Sequence, residues 1–145
     1  MIALVQRVAE ARVASAGEEL GRIGRGVLAL VAVERGDGER EAVRLAERVL
    51  AYRMFPDEAG RMNRSLAQAG GGLLVVPQFT LAADTRKGTR ASFTKAAAPE
   101  PGERYFRQLV SLCRERLATV ETGEFGANMQ VSLTNDGPVT FWLES

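Results

Sequence analysis

Leu73-Leu-Val-Val-Pro-Gln-Phe-Thr-Leu81 is an apolar segment near the middle of the chain, with a proline at position 77. Its short apolar run predicts a buried β-strand. Proline has no backbone N–H to donate to a sheet, so we expect Pro77 at a sheet edge, at a bulge or at the strand's end. The backbone N–H groups of Gln78, Phe79 and Thr80 would then be free of strand pairing.

Apolar segments on either side of this strand complete a pattern of strands and helices. Ile2–Val8 and Val27–Val33 are mostly apolar and predict two further buried strands. Apolar residues at helical spacing predict one helix over Glu39–Tyr52 and a second that starts at Pro101. Near the C-terminus, polar and apolar residues alternate before Asn135-Asp-Gly-Pro138, which predicts a β-hairpin turn. The sequence therefore predicts an α+β fold with an antiparallel or mixed sheet covered by two helices.

The composition predicts one soluble domain, residues 1–145, and excludes several kinds of chemistry. Of the 145 residues 46% are apolar and 26% charged, and the net charge is +1. The chain has no histidine and a single cysteine, so it cannot build a Ser-His-Asp triad, a Cys-His pair or a zinc site of Cys and His. A site for a hard metal made of carboxylates stays open, but no residue pattern suggests one, and we predict no metal and no cofactor. Cys113 falls on the apolar stripe of the second helix, which favours a buried packing residue over a nucleophile.

The absence of targeting signals indicates where in the cell the protein acts, and the charge pattern indicates how it could contact nucleic acid. One cysteine cannot form an internal disulfide, and no apolar run is long enough for a signal peptide or a membrane span, so we expect a cytoplasmic protein without a membrane role. With a net charge near zero, any contact with nucleic acid must come from a local patch. The polar loop after Asp84 carries such a patch, in which the phosphate-binding candidates are Arg86, Lys87, Arg90 and Lys95.

An enzyme without histidine has to rely on backbone dipoles, carboxylates, hydroxyls or the substrate itself. The N–H groups of Gln78, Phe79 and Thr80 are candidates for stabilising an oxyanion. Gly137-Pro138 is a second candidate, because a glycine in a tight turn lets backbone carbonyls approach a ligand closely. An ordinary strand end at Pro77 and a plain turn at Gly137 are the structural alternatives.

Two motifs in this order resemble those of the D-aminoacyl-tRNA deacylases, also called D-tyrosyl-tRNA deacylases. Gln78-Phe-Thr-Leu81 is similar to the family's S-Q-F-T-L motif, and Asn135-Asp-Gly-Pro-Val-Thr140 is similar to its N-x-G-P-V-T motif. The resemblance extends over essentially the whole chain. In this sequence Pro77 stands where the family usually has serine, which leaves the three following amides intact but puts in doubt any mechanism that needs that hydroxyl.

The resemblance implies hydrolysis of the ester between a D-amino acid and the 3′-terminal adenosine of tRNA, in chiral proofreading of translation, with glycyl-tRNA as a further candidate substrate. It implies a barrel-like fold and a homodimer with active sites at the interface. In the family the Gly-Pro peptide is cis and enters the partner's site, where its carbonyls exclude an L side chain. These roles fall on Gly137 and Pro138, while Arg7 and Met129 match positions that shape the chiral pocket.

Several functional alternatives stay open at this stage. For the mechanism, we expect the amides at Gln78, Phe79 and Thr80 to stabilise the oxyanion while the substrate's ribose 2′-hydroxyl assists, and a covalent role for the Thr80 hydroxyl is the competing proposal. For the function, the chain could instead be a non-catalytic tRNA-binding module, or a related editing deacylase of the other chirality.

Overall fold

The computed structural model describes residues 1–145 as a mixed sheet packed against helices. The strands are β1 (Ile2–Ser15), β2 (Glu18–Ile23), β3 (Gly26–Ala32), β4 (Phe55–Pro56), β5 (Met62–Arg64), β6 (Gly72–Pro77), β7 (Val120–Thr122) and β8 (Gln130–Glu144). The helices are α1 (Glu39–Ala51), α2 (Leu66–Ala69) and α3 (Pro99–Arg114), and a 3-10 turn spans Phe79–Ala82. None of the helices is both long enough and apolar enough to cross a bilayer.

The main sheet is built around β1. Its first half pairs with β3 and its second half with β2, while β8 pairs along its other edge, all antiparallel. β6 joins β3 in parallel and β7 joins β6 in parallel, whereas β4 and β5 form a separate two-stranded sheet. The two ends of the main sheet approach each other, because a Cβ placed on Gly21 of β2 would lie 3.1 Å from the Cβ of Glu121 on β7. The predicted α+β, barrel-like mixed sheet is confirmed.

Two hydrophobic cores lie on opposite faces of β3 and β6. Side chains alternate between the faces of a strand, so the odd-numbered residues of β3 pack with α1 and α3 while the even-numbered Leu28 faces the barrel interior. In β6, Leu73 and Val75 belong to the helix-covered core and Leu74 and Val76 to the interior core. Both faces of these strands are therefore buried, which explains why their sequences are continuous apolar runs.

The start of the parallel β3–β6 pair depends on a close approach of two backbones. A Cβ on Gly26 would lie 1.9 Å from the carbonyl oxygen of Gly72, its partner on β6. No side chain fits there, so glycine at position 26 is a steric requirement. Gly24, two residues earlier in the bend before β3, is surrounded by open space, and a Cβ added there would meet no atom within 4 Å.

The helices differ from the prediction in number and in one boundary. α1 begins after Gly38, as its apolar spacing predicts. The second predicted helix, α3, begins at Pro99 instead of Pro101, because both prolines fit its first turn. The prediction of two helices missed α2, a single turn in which the Ser65 hydroxyl and the Gln68 side chain cap each other's backbone N–H groups.

The predicted C-terminal hairpin is wrong. Residues before and after Asn135-Asp-Gly-Pro138 both pair with β1 in the same antiparallel direction, so the chain does not reverse and β8 is one strand from Gln130 to Glu144. Asn135 lies opposite Val8, and Thr140 lies opposite Gln6. On β1 only Arg7 lies between Gln6 and Val8, whereas on β8 four residues, 136–139, lie between their partners. These four residues therefore bulge out of the strand.

The steric requirement at Gly26 gives a stability prediction. Gly26→Ala should lower the free energy of unfolding by about 3 kcal/mol or more, because the added methyl group would push β3 and β6 apart. Gly24→Ala, where space is open, should stay within about 0.5 kcal/mol of the wild type. Urea titrations followed by circular dichroism at one protein concentration measure both, and equal stability of the two variants would contradict the prediction.

Candidate active site

The segment after β6 changes from strand to 3-10 turn at Pro77. Pro77 is the last residue of β6, and Phe79–Ala82 form the turn. The Gln78 N–H donates to the carbonyl oxygen of Val31 at 2.7 Å, so it is not free, and the prediction of three free amides is wrong at this position. The N–H groups of Phe79 and Thr80 open the 3-10 turn and have no acceptor within it. Two backbone donors therefore remain available next to each other.

The side chains of this turn are hydrogen-bonded to each other. The Gln78 side-chain amide donates to the Thr80 hydroxyl oxygen. No carboxylate or other base is hydrogen-bonded to that hydroxyl. The Thr80 hydroxyl thus accepts a hydrogen bond and has no partner that would take its proton.

A cavity of about 870 Å³ opens beside the turn. Met129, Gln78 and Phe79 line it together, so the structure brings these three predicted site residues into one place. Apolar side chains supply half of its wall, including those of Val76, Phe93, Phe125 and Val131. Met129 is held there by a 3.3 Å contact in which the Glu124 N–H points at its Sδ atom. The size and the apolar lining suit a small organic group with a few polar contacts.

Two carboxylates of the cavity wall are engaged in structural contacts. Asp37 accepts a hydrogen bond from the Glu34 N–H at 2.7 Å and pairs with the Met1 ammonium group at 2.8 Å. Glu34 lies 3.5 Å from the same ammonium group. These pairings favour a structural role for both acids over a role as a general base.

The bulge of β8 is held by Asn135. Its side-chain amide donates to the carbonyl oxygens of Arg7 at 2.9 Å and Val139 at 3.0 Å, which ties both ends of the bulge to β1. The Thr140 hydroxyl donates to the Asn135 side-chain oxygen at 3.4 Å. The sequence reasoning did not single out Asn135, although it is the first residue of the second family motif.

The tip of the bulge is Gly137-Pro138, and its peptide bond is cis. Gly137 has a φ of 135°, a conformation that favours glycine, and a Cβ there would lie 2.6 Å from Cγ2 of Val139. Arg7 supports the tip: its Nε donates to the Asp136 carbonyl oxygen at 3.1 Å, and its Nη1 donates to the Met54 carbonyl oxygen at 2.8 Å. Arg7 thus ties the bulge to the segment that contains Met54.

Within one chain the bulge and the cavity are separate. The cavity wall contains Gln78, Phe79 and Met129. Thr80 follows Phe79 in the 3-10 turn but is not part of the wall, and neither are Arg7, Gly137 and Pro138. A second depression, of about 790 Å³, lies on the charged face of α1 and contains no predicted site residue. The structure therefore groups the site residues into two clusters.

The basic loop is closed at its base by backbone hydrogen bonds between Asp84 and Ser92, of 2.8 and 3.0 Å. Arg86 turns back onto Asp84, donating to both carboxylate oxygens, and this guanidinium holds the pKa of the Asp84 carboxyl well below its usual range. Lys87 and Arg90 form no ion pair and are exposed. Of the four predicted phosphate-binding residues, Arg86 is thus already paired with Asp84, whereas Lys87, Arg90 and Lys95 form no ion pair.

Other candidate groups have structural roles. Burial raises the pKa of the Cys113 thiol to about 11, which keeps it protonated at neutral pH and agrees with its predicted role as a packing residue. Asp57 accepts hydrogen bonds from the Asn63 side chain and from the Arg61 and Ala59 N–H groups, which lower its pKa and close the β4–β5 turn. The structure contains no cluster of three or more His, Cys, Asp or Glu residues that could hold a metal ion.

Comparison with known proteins identifies the family of the chain. The sequence model of the family described as D-Tyr-tRNA(Tyr) deacylase matches residues 4–144. The chain belongs to this family. The predicted resemblance is therefore confirmed.

A sequence relative supports the same assignment, and two solved structures share the fold. A D-aminoacyl-tRNA deacylase of Alkalilimnicola ehrlichii is 65% identical over 145 residues, which cover 100% of this chain and 97% of the relative. A solved structure titled c-Myc DNA Unwinding Element Binding Protein superimposes with a TM-score of 0.94 at 36% identity, covering 100% and 99% of the two chains. A structure titled as a probable eukaryotic D-amino acid tRNA deacylase has a TM-score of 0.87 at 16% identity over 99% and 98% of the chains, which shows a shared fold.

The position of Asn135 in this family member gives a second prediction. Asn135→Ala removes three hydrogen bonds and leaves two carbonyl oxygens without this donor, so it should lower the free energy of unfolding by about 1–3 kcal/mol. Asn63→Ala, which removes one exposed hydrogen bond to Asp57, should change it by less than about 1 kcal/mol. Urea titration measures both, and an Asn135→Ala variant as stable as the wild type would contradict the assigned role.

The raised pKa of Cys113 gives a third prediction. At pH 8 a thiol with a pKa of about 11 is ionised at roughly one part in a thousand, so a disulfide reagent should modify native protein very slowly. The reaction should accelerate when pH rises towards the pKa, and strongly when urea unfolds the chain. Absorbance of the released thiolate reports the rate, and rapid labelling of the native protein at pH 8 would contradict burial of this group.

Proposed function

We propose that this chain hydrolyses the ester bond between a D-amino acid and the 3′-terminal adenosine of tRNA, releasing free tRNA and the D-amino acid. The family assignment supports the reaction. The observation that carries the proposal is a pair of adjacent backbone N–H groups, one at Phe79, which lines the cavity, and one at Thr80, the next residue of the 3-10 turn. The protein would act on aminoacyl-tRNA in translation, and hence in the cytoplasm.

In the proposed reaction a water molecule attacks the ester carbonyl carbon. The Phe79 and Thr80 N–H groups stabilise the oxyanion that forms, and each such donor contributes roughly 3 kcal/mol in a transition state. The bond from the carbonyl carbon to the ribose oxygen then breaks, and that oxygen takes up a proton. The number of backbone donors is two instead of three, because the Gln78 N–H is bonded to Val31.

The chain offers no side chain as general base for this step. It has no histidine, and the Glu34 and Asp37 carboxylates of the cavity wall are engaged with the Met1 ammonium group. An aminoacyl ester is more reactive than an amide, and the neighbouring ribose 2′-hydroxyl can position or activate the water. We therefore assign that assistance to the substrate.

A covalent role for Thr80 is disfavoured by its hydrogen bonding. Its hydroxyl accepts from the Gln78 side chain and has no base as partner. The Gln78 side chain then serves to orient Thr80, and so keeps the turn in shape.

Thr80→Ala tests this mechanism. The variant keeps the backbone N–H, so we expect its single-turnover rate to stay within about tenfold of the wild type, whereas removal of a covalent nucleophile costs on the order of 10³-fold or more. Thr119→Ala, an exposed threonine before β7, is the matched control. Rapid-quench measurement of ester loss at saturating enzyme gives the rate. A loss of 10³-fold or more would favour the Thr80 hydroxyl as nucleophile.

We further propose that two chains form a homodimer and that each bulge enters the partner's cavity. Gly137 and Pro138 lie outside the cavity of their own chain, and Arg7 holds the bulge in shape. β8 pairs only with β1, and it carries two exposed large side chains, Leu133 and Trp142. An exposed edge strand with apolar side chains is a common surface for association.

Chiral selection would then come from two chains at once. The backbone carbonyls at Gly137 and Pro138 of one chain would accept the D arrangement or glycine and exclude an L side chain. Met129 of the other chain would form the floor of the pocket beside Phe79. The carbonyls and Met129 shape the pocket, and none of them takes part in forming or breaking a bond.

The decisive measurement is a deacylation time course with D-Tyr-tRNA, L-Tyr-tRNA and Gly-tRNA at equal concentrations, with and without chelator. We expect rapid loss of the D ester, persistence of the L ester and no effect of chelator. Loss of the L ester alone would favour an editing deacylase of the other chirality. Binding of tRNA that weakens steeply with salt, without hydrolysis of any ester, would favour a non-catalytic nucleic-acid-binding module.

A further inference from the structure

Two exposed aromatic side chains form the rim of the cavity. The Phe79 and Phe93 side chains are 54% and 44% exposed, their ring centroids lie 5.2 Å apart, and their planes are inclined by 55°. Both line the cavity mouth. Two other phenylalanines, Phe55 and Phe106, are almost completely buried. A paired aromatic surface that stays in water is typical of a binding surface.

The basic loop is joined directly to this rim. Its closing bridge ends at Ser92, and Phe93 is the next residue, so Lys87 and Arg90 belong to a loop anchored beside the rings. Neither cation is paired with a carboxylate of the chain, whereas Arg86 is bound to Asp84. The rim thus combines aromatic faces with two uncompensated positive charges.

We propose that Phe79, Phe93, Lys87 and Arg90 form a subsite for single-stranded RNA, which takes the unpaired nucleotide immediately before the terminal adenosine. A nucleobase would stack on the exposed face of Phe93, and the adjoining phosphates would contact Lys87 and Arg90. Aromatic faces for bases combined with cations for the backbone are the usual means of binding single strands. The subsite rests on the proposed function, since it assumes that the terminal adenosine and its ester occupy the cavity.

The subsite would also add to substrate binding next to the proposed oxyanion site. Phe79 contributes its ring to the rim and its N–H to the proposed oxyanion site. A base bound at the rim would therefore hold the RNA close to that N–H group. Extending the substrate by one nucleotide on the 5′ side should therefore improve binding without a change in the chemical step.

The test compares two substrates, D-tyrosyl adenosine and a short RNA ending in C-C-A that carries the same D-tyrosyl ester. For the C-C-A substrate Phe93→Ala should raise KM by about tenfold, the change that a stacking free energy of about 1.4 kcal/mol produces. Because Phe93 also lines the cavity, Phe93→Ala should raise KM for D-tyrosyl adenosine as well, but by a clearly smaller factor than for the C-C-A substrate. Phe93→Tyr should retain the wild-type KM, Phe93→Leu should behave like alanine, and Met62→Ala, which removes another exposed apolar side chain, is the control.

The charges are tested by the salt dependence of binding of the C-C-A oligonucleotide that carries no amino acid. Lys87→Ala and Arg90→Ala should each reduce the slope of log Kd against log salt by about 0.7, the value for one phosphate contact on a single strand. Arg114→Ala, in the last turn of α3, should leave the slope unchanged.

Three results would overturn the subsite. An equal effect of Phe93→Ala on both substrates would mean that the ring only supports the catalytic turn. No effect on either substrate, or unchanged salt slopes for both cation variants, would mean that the rim does not bind RNA. If the wild type hydrolyses neither ester, the proposed function fails. The subsite is then tested by comparing oligonucleotide binding of Phe93→Ala with that of the wild type. Weaker binding by the variant supports the subsite, and equal binding overturns it.

Discussion

β1 forms hydrogen bonds along both of its edges, and the rest of the molecule depends on this pairing. One edge takes β3 and then β2, while the other takes β8 along its whole length. Between the pairs Val8–Asn135 and Gln6–Thr140, β8 has more residues than β1. The additional residues of β8 cannot pair, and they bulge out of the sheet opposite Arg7. The Gly137-Pro138 bulge is therefore a product of strand pairing, and Asn135 stabilises it by hydrogen-bonding to both strands.

The position of the candidate catalytic turn follows from proline chemistry. Pro77 cannot donate to a neighbouring strand, so β6 ends there. One further amide, that of Gln78, is tied to Val31 of β3, and this bond fixes where the 3-10 turn starts. The two amides that follow are free because they stand at the beginning of a turn. Orientation of the donors thus comes from the sheet, without help from a buried side chain.

Much of this could be predicted from local patterns, and two of the errors share one physical cause. The strand of Val27–Val33, helix α1 and the end of β6 at Pro77 were predictable because apolar spacing and proline chemistry act within a few residues. The hairpin at Asn135-Asp-Gly-Pro138 was wrong because a turn and a bulge need the same residue types. Only pairing with β1, at the other end of the chain, decides between them. The bond between Gln78 and Val31 was missed for the same reason, whereas α2 had a readable signal in Ser65 and Gln68.

The two cores that share β3 and β6 restrict how this family can change in length. Neighbouring residues of each strand face different cores, so loss or gain of one residue would move every following side chain into the wrong core. We expect insertions and deletions among relatives to avoid these strands. The loop between Asp84 and Ser92 is closed by its own backbone hydrogen bonds and belongs to neither core. Its length can change without disturbing the sheet, which leaves the rim of the cavity free to diversify while the fold stays constant.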